Sequence, residues 1–285
     1  MKVSKIGIFS QILFQETIEI IDDLISVDGN SSISFFLNPE LYDFLEKLNH
    51  KSISRFEKES LEGMDVDCII SIGGDGTILR VARTKTNIPI LSINKGRKGV
   101  MTEIEPKNVK KSFERFINGQ YKLEEHHRLE AIIEGKTIGS AINEVVITSV
   151  DLLKAIDFRV LIDNVLITGS LADGIIISTA IGSTGHSLSS GGSIIDPILD
   201  NFEISWINST NLAIRPLILS SSRKIKIRCA TRINPLKIVI DGQISIEYEP
   251  PFEISFQLSK EKVKFYRYRP FMSRLRQHFT PEIQE

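Results

Sequence analysis

The sequence predicts an N-terminal Rossmann-like α/β domain over residues 1–120, followed by a C-terminal antiparallel β-sandwich domain over residues 121–264. Residues 1–120 alternate short β-type runs with helical patterns, which is typical of layered α/β units with a mostly parallel sheet. From Tyr121 the apolar residues recur with a period of two, which indicates antiparallel strands. A length of 285 residues is sufficient for two domains. We expect residues 265–285 to pack back on the first domain.

The first domain is predicted to begin with a strand at Lys5–Phe9. Apolar residues at three- and four-residue steps then predict a helix that ends near Gly29. Pro39 is suited to the first position of a second helix, and the charged run Ser52–Met64 indicates a surface segment. The remaining predicted elements are strands at Ser31–Phe36, Asp67–Ile72 and Ile88–Ile93, a helix at Ile78–Thr84 capped by Thr77, and a helix at Pro106–Asn118.

The second domain is predicted to be a series of short strands separated by turn residues. Turn signals lie at Asp163-Asn164, Asn234-Pro235 and Asp241-Gly242. A strand or helix is expected at Phe271–Phe279. The predicted strands are His127–Glu134, Thr137–Ser149, Ala155–Ile162, Val165–Ser170, Gly174–Thr179, Leu212–Leu219, Lys224–Cys229, Leu236–Ile240, Ile244–Glu249 and Pro251–Leu258.

Composition and charge exclude several classes of function. With 35 basic and 36 acidic residues the net charge is −1, so no global positive field attracts nucleic acid or an anionic membrane. No apolar run approaches the length of a membrane-spanning helix, and Lys2–Phe9 has the pattern of a strand. Cys68 and Cys229 lie far apart in apolar strands, which predicts buried thiols in a reducing compartment. We therefore expect a cytoplasmic protein with no nucleic-acid or membrane partner.

The run Gly73-Gly74-Asp75-Gly76-Thr77 directly follows an apolar strand and is the first candidate site. Glycines allow backbone N–H groups to approach an anion closely, so the loop is suited to bind phosphate. A carboxylate would repel that anion. Asp75 therefore indicates a magnesium ligand or a proton acceptor.

Three further segments carry polar residues where chemistry is expected. Residues 173–192 are dense in hydroxyls and glycines, which suits either a wrap around a polyhydroxylated ligand or a flexible loop. Asn143 and Glu144 interrupt an apolar strand, where they either bind a ribose diol or give ordinary strand polarity. Asp241-Gly242-Gln243 by itself predicts a hairpin turn.

Together these four segments resemble the NAD kinase family, which phosphorylates the 2′-hydroxyl of the adenosine ribose of NAD. They occur in the family's order over most of the chain, and the resemblance is to archaeal-like members that use ATP or polyphosphate. The pentapeptide alone is shared with diacylglycerol and sphingosine kinases and with phosphofructokinases. The combination of four segments is specific to the NAD kinases.

The resemblance implies a role for each matching position. Asp75 would be the catalytic carboxylate, accepting the ribose 2′-hydroxyl proton directly or through Mg²⁺ or another divalent metal. The phosphates of ATP or polyphosphate would be held by the loop and by a basic turn, through Gly73, Gly74, Gly76, Thr77, Lys95 and Arg97. NAD would be bound by Asn143, Glu144, Asp173, Thr184, Gly185, His186, Ser189 and Gln243.

Three parts of the sequence differ from the family's common pattern. Residues 94–100 stand where the family usually has Asn-x-Gly-x-Leu-Gly-Phe, and they lack the aromatic residue of that motif. They form a basic turn, which either contacts the phosphates of the donor or is simply solvated. Gly185-His186 replaces Ala-Tyr, and His186 either stacks on a base or is exposed. Gln243 replaces a frequent histidine.

The expected ligands are NAD(H), NADP(H) and ATP, and the resemblance implies a homodimer or homotetramer. Two other functions remain open from the sequence. One is a lipid kinase of the diacylglycerol or sphingosine type, which would need a route to membrane lipid that no basic amphipathic segment provides. The other is an NAD-sensing module without catalysis.

Overall fold

The structure is a computed structural model that describes residues 3–28, 33–85, 87–95, 99–151, 154–230 and 235–279. The chain forms two compact units. The first consists of residues 1–125 together with residues 263–285, and the second consists of residues 126–262. Each unit has its own cluster of buried apolar side chains.

The first unit is a parallel sheet covered by helices, as the alternating pattern predicts. The strand order is β5-β4-β1-β2-β3, with every neighbouring pair parallel. In chain order its elements are β1 (Lys5–Ser10), α1 (Gln15–Asp28), β2 (Ser34–Leu37), α2 (Pro39–Lys47), β3 (Phe56–Lys58), β4 (Cys68–Gly73), α3 (Asp75–Thr84), β5 (Ile90–Asn94) and α4 (Val109–Ile117).

The direction of winding reverses between β1 and β4. From β1 the chain adds β2 and β3 on one side, whereas β4 and β5 lie on the other side of β1. In open α/β sheets, ligands bind at the carboxyl ends of the strands where the order reverses. All six residues of β4 are buried, so its position in the sheet is firmly set by packing. The loop that follows β4 therefore leaves the sheet at the reversal point.

The second unit contains two antiparallel sheets. One has the order β13-β12-β11-β8-β15-β16, and the other joins β10, β9, β14 and β17, with β17 also pairing with β6 and β6 with β7. The elements are β6 (Lys122–Ile133), β7 (Lys136–Ala141), β8 (Glu144–Ser149), β9 (Ile156–Ile162), β10 (Val165–Ala172), β11 (Gly174–Thr179), α5 (His186–Ser189), β12 (Asn201–Ile207), β13 (Leu217–Ser220), β14 (Ile225–Cys229), β15 (Leu236–Ile240), β16 (Ile244–Tyr248) and β17 (Phe252–Arg267). The final helix, α6 (Phe271–Phe279), lies in the part of the chain that belongs to the first unit.

The core of the second unit is built from both of its sheets. Phe158 on β9 and Trp206 on β12 meet edge to face, with ring centroids 6.3 Å apart. Aromatic pairs of this geometry add to the free energy gained by burial alone. A core between two antiparallel sheets is what the sequence predicts for this domain. The predicted fold class is therefore confirmed for both parts of the chain.

The end of β17 belongs to the first unit. Phe265 pairs in parallel with Ile90 of β5, and α6 follows in the same unit. A helix is thus formed at Phe271–Phe279, where either a strand or a helix was expected. Cys68 and Cys229 are buried free thiols, as the sequence predicts. Among the described residues no helix combines the length and the apolar character required to cross a membrane.

Several predicted elements were wrong in detail. Thr77 does not cap α3, because that helix begins at Asp75 with Gly74 as its N-cap. The strand predicted at Thr137–Ser149 is two strands, β7 and β8, which belong to different sheets. The polar pair Asn143-Glu144, which the sequence analysis placed inside one strand, lies at the crossing between the two. Gly29, Ser31 and Asn234, which were assigned to element ends and turns, lie outside the described residues.

Two strands were missed. β3 lies inside the charged segment that was predicted to be surface, and only Phe56 of its three residues is buried. β12 carries Glu203 and Ser205 among its apolar residues, and both are fully buried. Buried polar residues conceal a strand from an analysis based on apolar pattern, because their partners come from other parts of the chain.

Replacing a fully buried aromatic of α4 will destabilise the first unit. Phe113 has no exposed surface and stacks on Phe116 with centroids 5.9 Å apart. We expect Phe113→Ala to lower the free energy of unfolding by roughly 3–5 kcal/mol, through lost burial and a residual cavity. Urea denaturation followed by far-UV circular dichroism measures the change.

Ile117→Ala in the same helix is the matched control, because Ile117 is 38% exposed. Its expected cost is below about 1 kcal/mol. Equal costs for the two variants would contradict the packing described for α4.

Candidate functional site

The glycine loop of the first unit is shaped by close contacts at Gly73. This residue pairs with Asn94 across β4 and β5, and its carbonyl accepts the Lys95 N–H at 3.0 Å. A Cβ at Gly73 would overlap the Thr77 side chain, so glycine is required where the strand turns into α3. Thr77 supports the loop from within the first helical turn.

Gly74 and Gly76 border open space. A Cβ at either position would meet no atom within 4 Å. The carbonyl of Gly74 accepts the N–H groups of Thr77 at 3.1 Å and Ile78 at 3.3 Å, which starts α3. The first N–H groups and the positive dipole end of a helix lie at its N-terminus. This end of α3 is therefore suited to hold an anion such as phosphate.

Asp75 is the first residue of α3 and is partly buried. A Cβ on Gly99 would overlap the Asp75 carboxylate, so the segment after residue 98 packs directly against it. Asp75 also interacts electrostatically with the buried Arg267. Burial and then the like charge of Arg274 lower the pKa of Arg267 to about 10, while Glu103, Glu124 and Asp75 act in the opposite direction.

A buried cluster of charges holds the segment that packs on Asp75. One oxygen of Glu103 accepts the N–H groups of Tyr268 and Arg269, both at 2.9 Å. Arg267 donates to the carbonyl of Met101 at 2.7 Å, and Arg274 lies 3.5 Å from Glu103. The sequence analysis missed these residues. The dense arginines of the C-terminal segment were the available signal.

In the second unit, Asn143 and Glu144 lie at the crossing from β7 to β8. Each is only 8% exposed. The Asn143 Oδ1 and Glu144 Oε2 atoms are buried and accept no hydrogen bond from the described residues. Buried polar atoms are normally hydrogen-bonded by the chain, by water or by a ligand, so these two adjacent acceptors are candidate ligand contacts.

Asp241 accepts three consecutive backbone N–H groups at this crossing. Its Oδ2 lies 2.8 Å from the N–H nitrogen of Ile142, and its Oδ1 lies 2.7 Å from that of Asn143 and 3.1 Å from that of Glu144. In return the Asp241 N–H donates to the carbonyl of Glu144 at 3.0 Å. The sequence predicts a hairpin turn at Asp241 and includes that turn among the four segments of the resemblance, but it does not show these three contacts.

The segment that follows β11 closes over the same pair. Thr179 donates its N–H to the Asn143 carbonyl at 2.9 Å and its hydroxyl to the Ile142 carbonyl at 2.6 Å. A Cβ on Gly182 would overlap the backbone of Asn143, and a Cβ on Gly185 would lie 2.9 Å from the Glu144 Oε2. These two glycines therefore permit a close approach that larger residues would prevent.

Glu144 has an unusual protonation equilibrium. Burial, and secondly the negative charge of Asp241, raise its pKa to about 7, although the backbone N–H of His186 opposes the shift. Burial also raises the pKa of Asp241, against the effect of its three N–H donors and of Arg128. A carboxyl group that titrates near neutral pH is common at functional sites.

The structure thus brings together Asn143, Glu144, Gly185 and the backbone of His186, with the Asp241–Gln243 turn beside them. Asp173 lies elsewhere in this unit. It precedes β11, whose residue Gly174 pairs with Thr148 while Ser178 pairs with Glu144, so Asp173 is at the opposite end of these strands. It accepts a hydrogen bond from Asn208 at 2.8 Å.

The remaining predicted site residues have varied surroundings. Thr184 is partly buried, whereas the His186 and Ser189 residues on α5 are exposed. Lys95 forms an ion pair with Glu16. Arg97 and Lys98 lie outside the described residues.

The described residues contain no group of three or more His, Cys, Asp or Glu side chains able to hold a metal ion. This donor set still fits magnesium, which usually binds one or two carboxylates, water and substrate phosphates. Asp75 supplies one carboxylate at the glycine loop. The Oδ1 of Asn94, at the end of the neighbouring strand β5, is buried and accepts no hydrogen bond within the described chain.

Two family models match the chain. The model described as the ATP-NAD kinase N-terminal domain matches residues 27–121, and that described as the ATP-NAD kinase C-terminal domain matches residues 142–268. The matched residues include the glycine loop, the Asn143-Glu144 pair and the Asp241 turn.

Curated relatives agree with these matches. The chain is 36% identical over 242 residues to the NAD kinase of Thermococcus kodakarensis, covering 80% of this chain and 87% of the relative. It is 34% identical over 265 residues to the NAD kinase of Methanothermobacter thermautotrophicus, covering 92% and 91%.

Solved structures share the fold. An NAD kinase from Archaeoglobus fulgidus in complex with ATP has a TM-score of 0.74 and 26% sequence identity, covering 96% of this chain and 97% of that one. Yeast NADH kinase complexed with NADH has a TM-score of 0.86 at 20% identity, covering 100% of this chain and 89% of that one. At this lower identity the likeness concerns the fold alone.

The raised pKa of Glu144 predicts a pH-dependent stability difference for Glu144→Gln. Because the folded-state pKa is about 7 and the ordinary value is 4.5, folding favours the protonated form. The stability of the native protein is therefore retained below pH 4.5 and falls as the pH rises through 7. At pH 8 we expect the Gln variant to be more stable than the native protein by roughly 3–4 kcal/mol, given about 1.4 kcal/mol per pKa unit.

At pH 5 the two proteins should differ little. Urea unfolding followed by the fluorescence of Trp206, the single tryptophan of the chain, reports on this unit. Glu247→Gln, at an exposed position on β16, is the control. A Glu144→Gln effect of the same size at pH 5 and pH 8 would rule out the proposed titration.

Proposed function

The chain belongs to the NAD kinase family, and from this premise we propose that it transfers the γ-phosphoryl group of ATP to the 2′-hydroxyl of the adenosine ribose of NAD. The products are NADP and ADP. The observation that carries the proposal is a carboxylate, Asp75, at the start of a helix whose glycines leave space for an anion. Phosphate binding alone would be weakened by that negative charge, whereas phosphoryl transfer requires a proton acceptor.

The glycine loop holds the donor. The phosphates of ATP occupy the space beside Gly74 and Gly76, where the N-terminus of α3 stabilises their negative charge. Gly73 and Thr77 fix the shape of this loop. Phosphoryl transfer depends mainly on positioning and on charge stabilisation, so a preformed cradle lowers the barrier without reorganising.

Asp75 acts on the acceptor. Its carboxylate takes the proton of the ribose 2′-hydroxyl as the oxygen attacks the γ-phosphorus, and the bond from that phosphorus to the bridging oxygen of ADP breaks. The proton then passes from Asp75 to solvent. Gly99 packs against this carboxylate and fixes its orientation. The positive charge of Arg267 stabilises the ionised form of the carboxylate.

Magnesium, or another divalent ion, is the proposed cofactor, and Asp75 with the Asn94 Oδ1 would hold it. When bound, such an ion neutralises charge on the donor phosphates. Lys95 is proposed to contact the phosphates of the phosphoryl donor. It must then leave its ion pair with Glu16. Arg97 is proposed from the sequence alone, and polyphosphate is the proposed alternative donor.

Asn143 and Glu144 bind the acceptor through the two buried atoms that accept no hydrogen bond from the described residues. Hydroxyls of a ribose supply the donors they lack. Thr184, Gly185, His186, Ser189 and Gln243 are proposed to contact the rest of the dinucleotide near this pair. Asp173, at the other end of β11, is proposed to meet its far end. We include NADH as an alternative acceptor.

A second copy of the chain is the proposed protein partner, in a homodimer or homotetramer. β10 is the last strand of its sheet, and Val165, Leu166 and Ile167 on it are all more than half exposed. An apolar edge strand is suited to association with another chain. We place the protein in the cytoplasm, which the two buried free thiols support.

Asp75→Asn tests the proposed catalytic role. The amide keeps the size of the carboxylate but accepts no proton, so the fold should be retained and NADP formation should fall roughly 100- to 10,000-fold. A coupled spectrophotometric assay of NADP measures the loss. Asp65→Asn is the control, because the Asp65 side chain is fully exposed.

Near-native turnover by Asp75→Asn would refute the role of this carboxylate. The same assay, crossing ATP and polyphosphate with NAD and NADH, identifies the preferred donor and acceptor. NAD binding without NADP formation by the native protein would favour a sensing module, and phosphorylation of diacylglycerol would favour a lipid kinase.

A further inference from the structure

We propose that Asp241 is the positioning residue for the acceptor site: its carboxylate fixes the backbone of residues 142–144, so that Asn143 and Glu144 present their side chains to the dinucleotide. This inference rests on the proposed function, because it concerns how that ligand is held. Asp241 itself does not contact the substrate. It acts through Asn143 and Glu144, which do.

The hydrogen bonds at the crossing carry the argument. Asp241 accepts the N–H groups of Ile142, Asn143 and Glu144 at 2.8, 2.7 and 3.1 Å. In a regular strand, successive N–H groups point to opposite sides. Three consecutive N–H groups that converge on one carboxylate therefore define a local conformation that a β-ladder does not supply.

The sheets leave this segment without a ladder. β7 ends at Ala141 in one sheet and β8 begins at Glu144 in the other. The path of Ile142 and Asn143 is thus set by side-chain and loop contacts. Thr179 secures the carbonyls of these two residues, and Asp241 secures the N–H groups. A carboxylate with several N–H donors is among the stronger protein hydrogen-bond arrangements.

The turn itself does not require a carboxylate at this position. Asp241 and Gly242 have φ angles of 50° and 65°, and the Gln243 N–H donates to the Ile240 carbonyl at 3.0 Å. Three residues connect β15 and β16, and Asn tolerates the positive φ angle at the first of them as well as Asp does. Asp241→Asn therefore preserves the turn and removes the charge, which separates the two roles.

The chain offers a matched control in the turn between β9 and β10. Asp163 and Asn164 have φ angles of 51° and 67°, so the Asp and the residue after it have positive φ angles in both turns. Asp163 also accepts a backbone N–H, that of Lys224 at 3.1 Å, but on an exposed surface. Asp163→Asn reproduces the chemical change at a turn that holds no proposed ligand residue.

The first experiment compares NAD binding and steady-state kinetics of the native protein, Asp241→Asn and Asp163→Asn. For Asp241→Asn we expect the Kd and KM for NAD to rise roughly 10- to 100-fold, as for the loss of a charge-assisted hydrogen bond. The KM for ATP and kcat should change less than about threefold, because Asp241 does not touch the reacting atoms. Asp163→Asn should match the native protein.

The pH dependence of NAD affinity is a second measurement, and a merely loosened turn would leave its midpoint unchanged. Glu144 faces the carboxyl group of Asp241 and the backbone N–H of His186. Asp241 in turn faces the guanidinium group of Arg128. If ionised Glu144 binds the ribose, NAD affinity rises through about pH 7, the pKa that burial and then Asp241 confer. Without the charge of Asp241 the pKa of Glu144 falls, so this limb of the profile should move to lower pH in Asp241→Asn.

An unchanged NAD affinity and an unmoved limb in Asp241→Asn would overturn the proposal, as would an equal loss of affinity in Asp163→Asn. Asp241→Gly also suits the turn and removes both acceptor oxygens, so it decides the matter if the Asn variant does not fold. Calorimetric NAD binding tests the positioning role without turnover. If the proposed function is wrong, the native protein itself will bind NAD without forming NADP.

Discussion

A buried carboxylate must be given hydrogen-bond donors or cations, and both units of this protein are organised by that requirement. In water a carboxylate is well solvated, so moving it into the protein without partners would cost several kcal/mol. Glu103 meets the requirement with the N–H groups of Tyr268 and Arg269 and the arginines Arg267 and Arg274. Asp241 meets it with three successive N–H groups. In each case the carboxylate draws distant segments of the chain into one place.

These buried groups determine the surroundings of the two candidate functional carboxylates. The Glu103 cluster holds the segment whose Gly99 packs on Asp75, and the arginine of that cluster interacts with the Asp75 charge. Asp241 holds the segment that carries Glu144 and, by its charge, contributes to the raised pKa of that residue. Glu103 and Asp241 accept hydrogen bonds from the chain itself. Asn143 and Glu144 each keep a buried atom that accepts no hydrogen bond from the described residues, which makes this pair a candidate for ligand contact.

The sequence determined the fold class and the identity of the catalytic candidate. Alternating β and helical patterns predicted the parallel unit, and the period of two predicted the antiparallel unit, because both patterns are local consequences of which faces are buried. The glycines around Asp75 were informative for the same reason, since a strand that ends in glycines before a helix is a local structure. The four motifs together were sufficient to identify the family, which the matches over residues 27–121 and 142–268 bear out.

Only the tertiary structure decided how those motifs are supported. The sequence shows a polar pair at residues 143–144 but does not show that β7 and β8 belong to different sheets, because the sheet to which each residue belongs depends on partners far along the chain. Asp241 has the sequence of an ordinary hairpin turn, and its three N–H partners lie about a hundred positions away. Arg267 and Glu103 are likewise ordinary charged residues until the chain buries them together. Local sequence fixes conformation within a few residues, whereas the burial of charge and the completion of hydrogen bonds are properties of the folded chain.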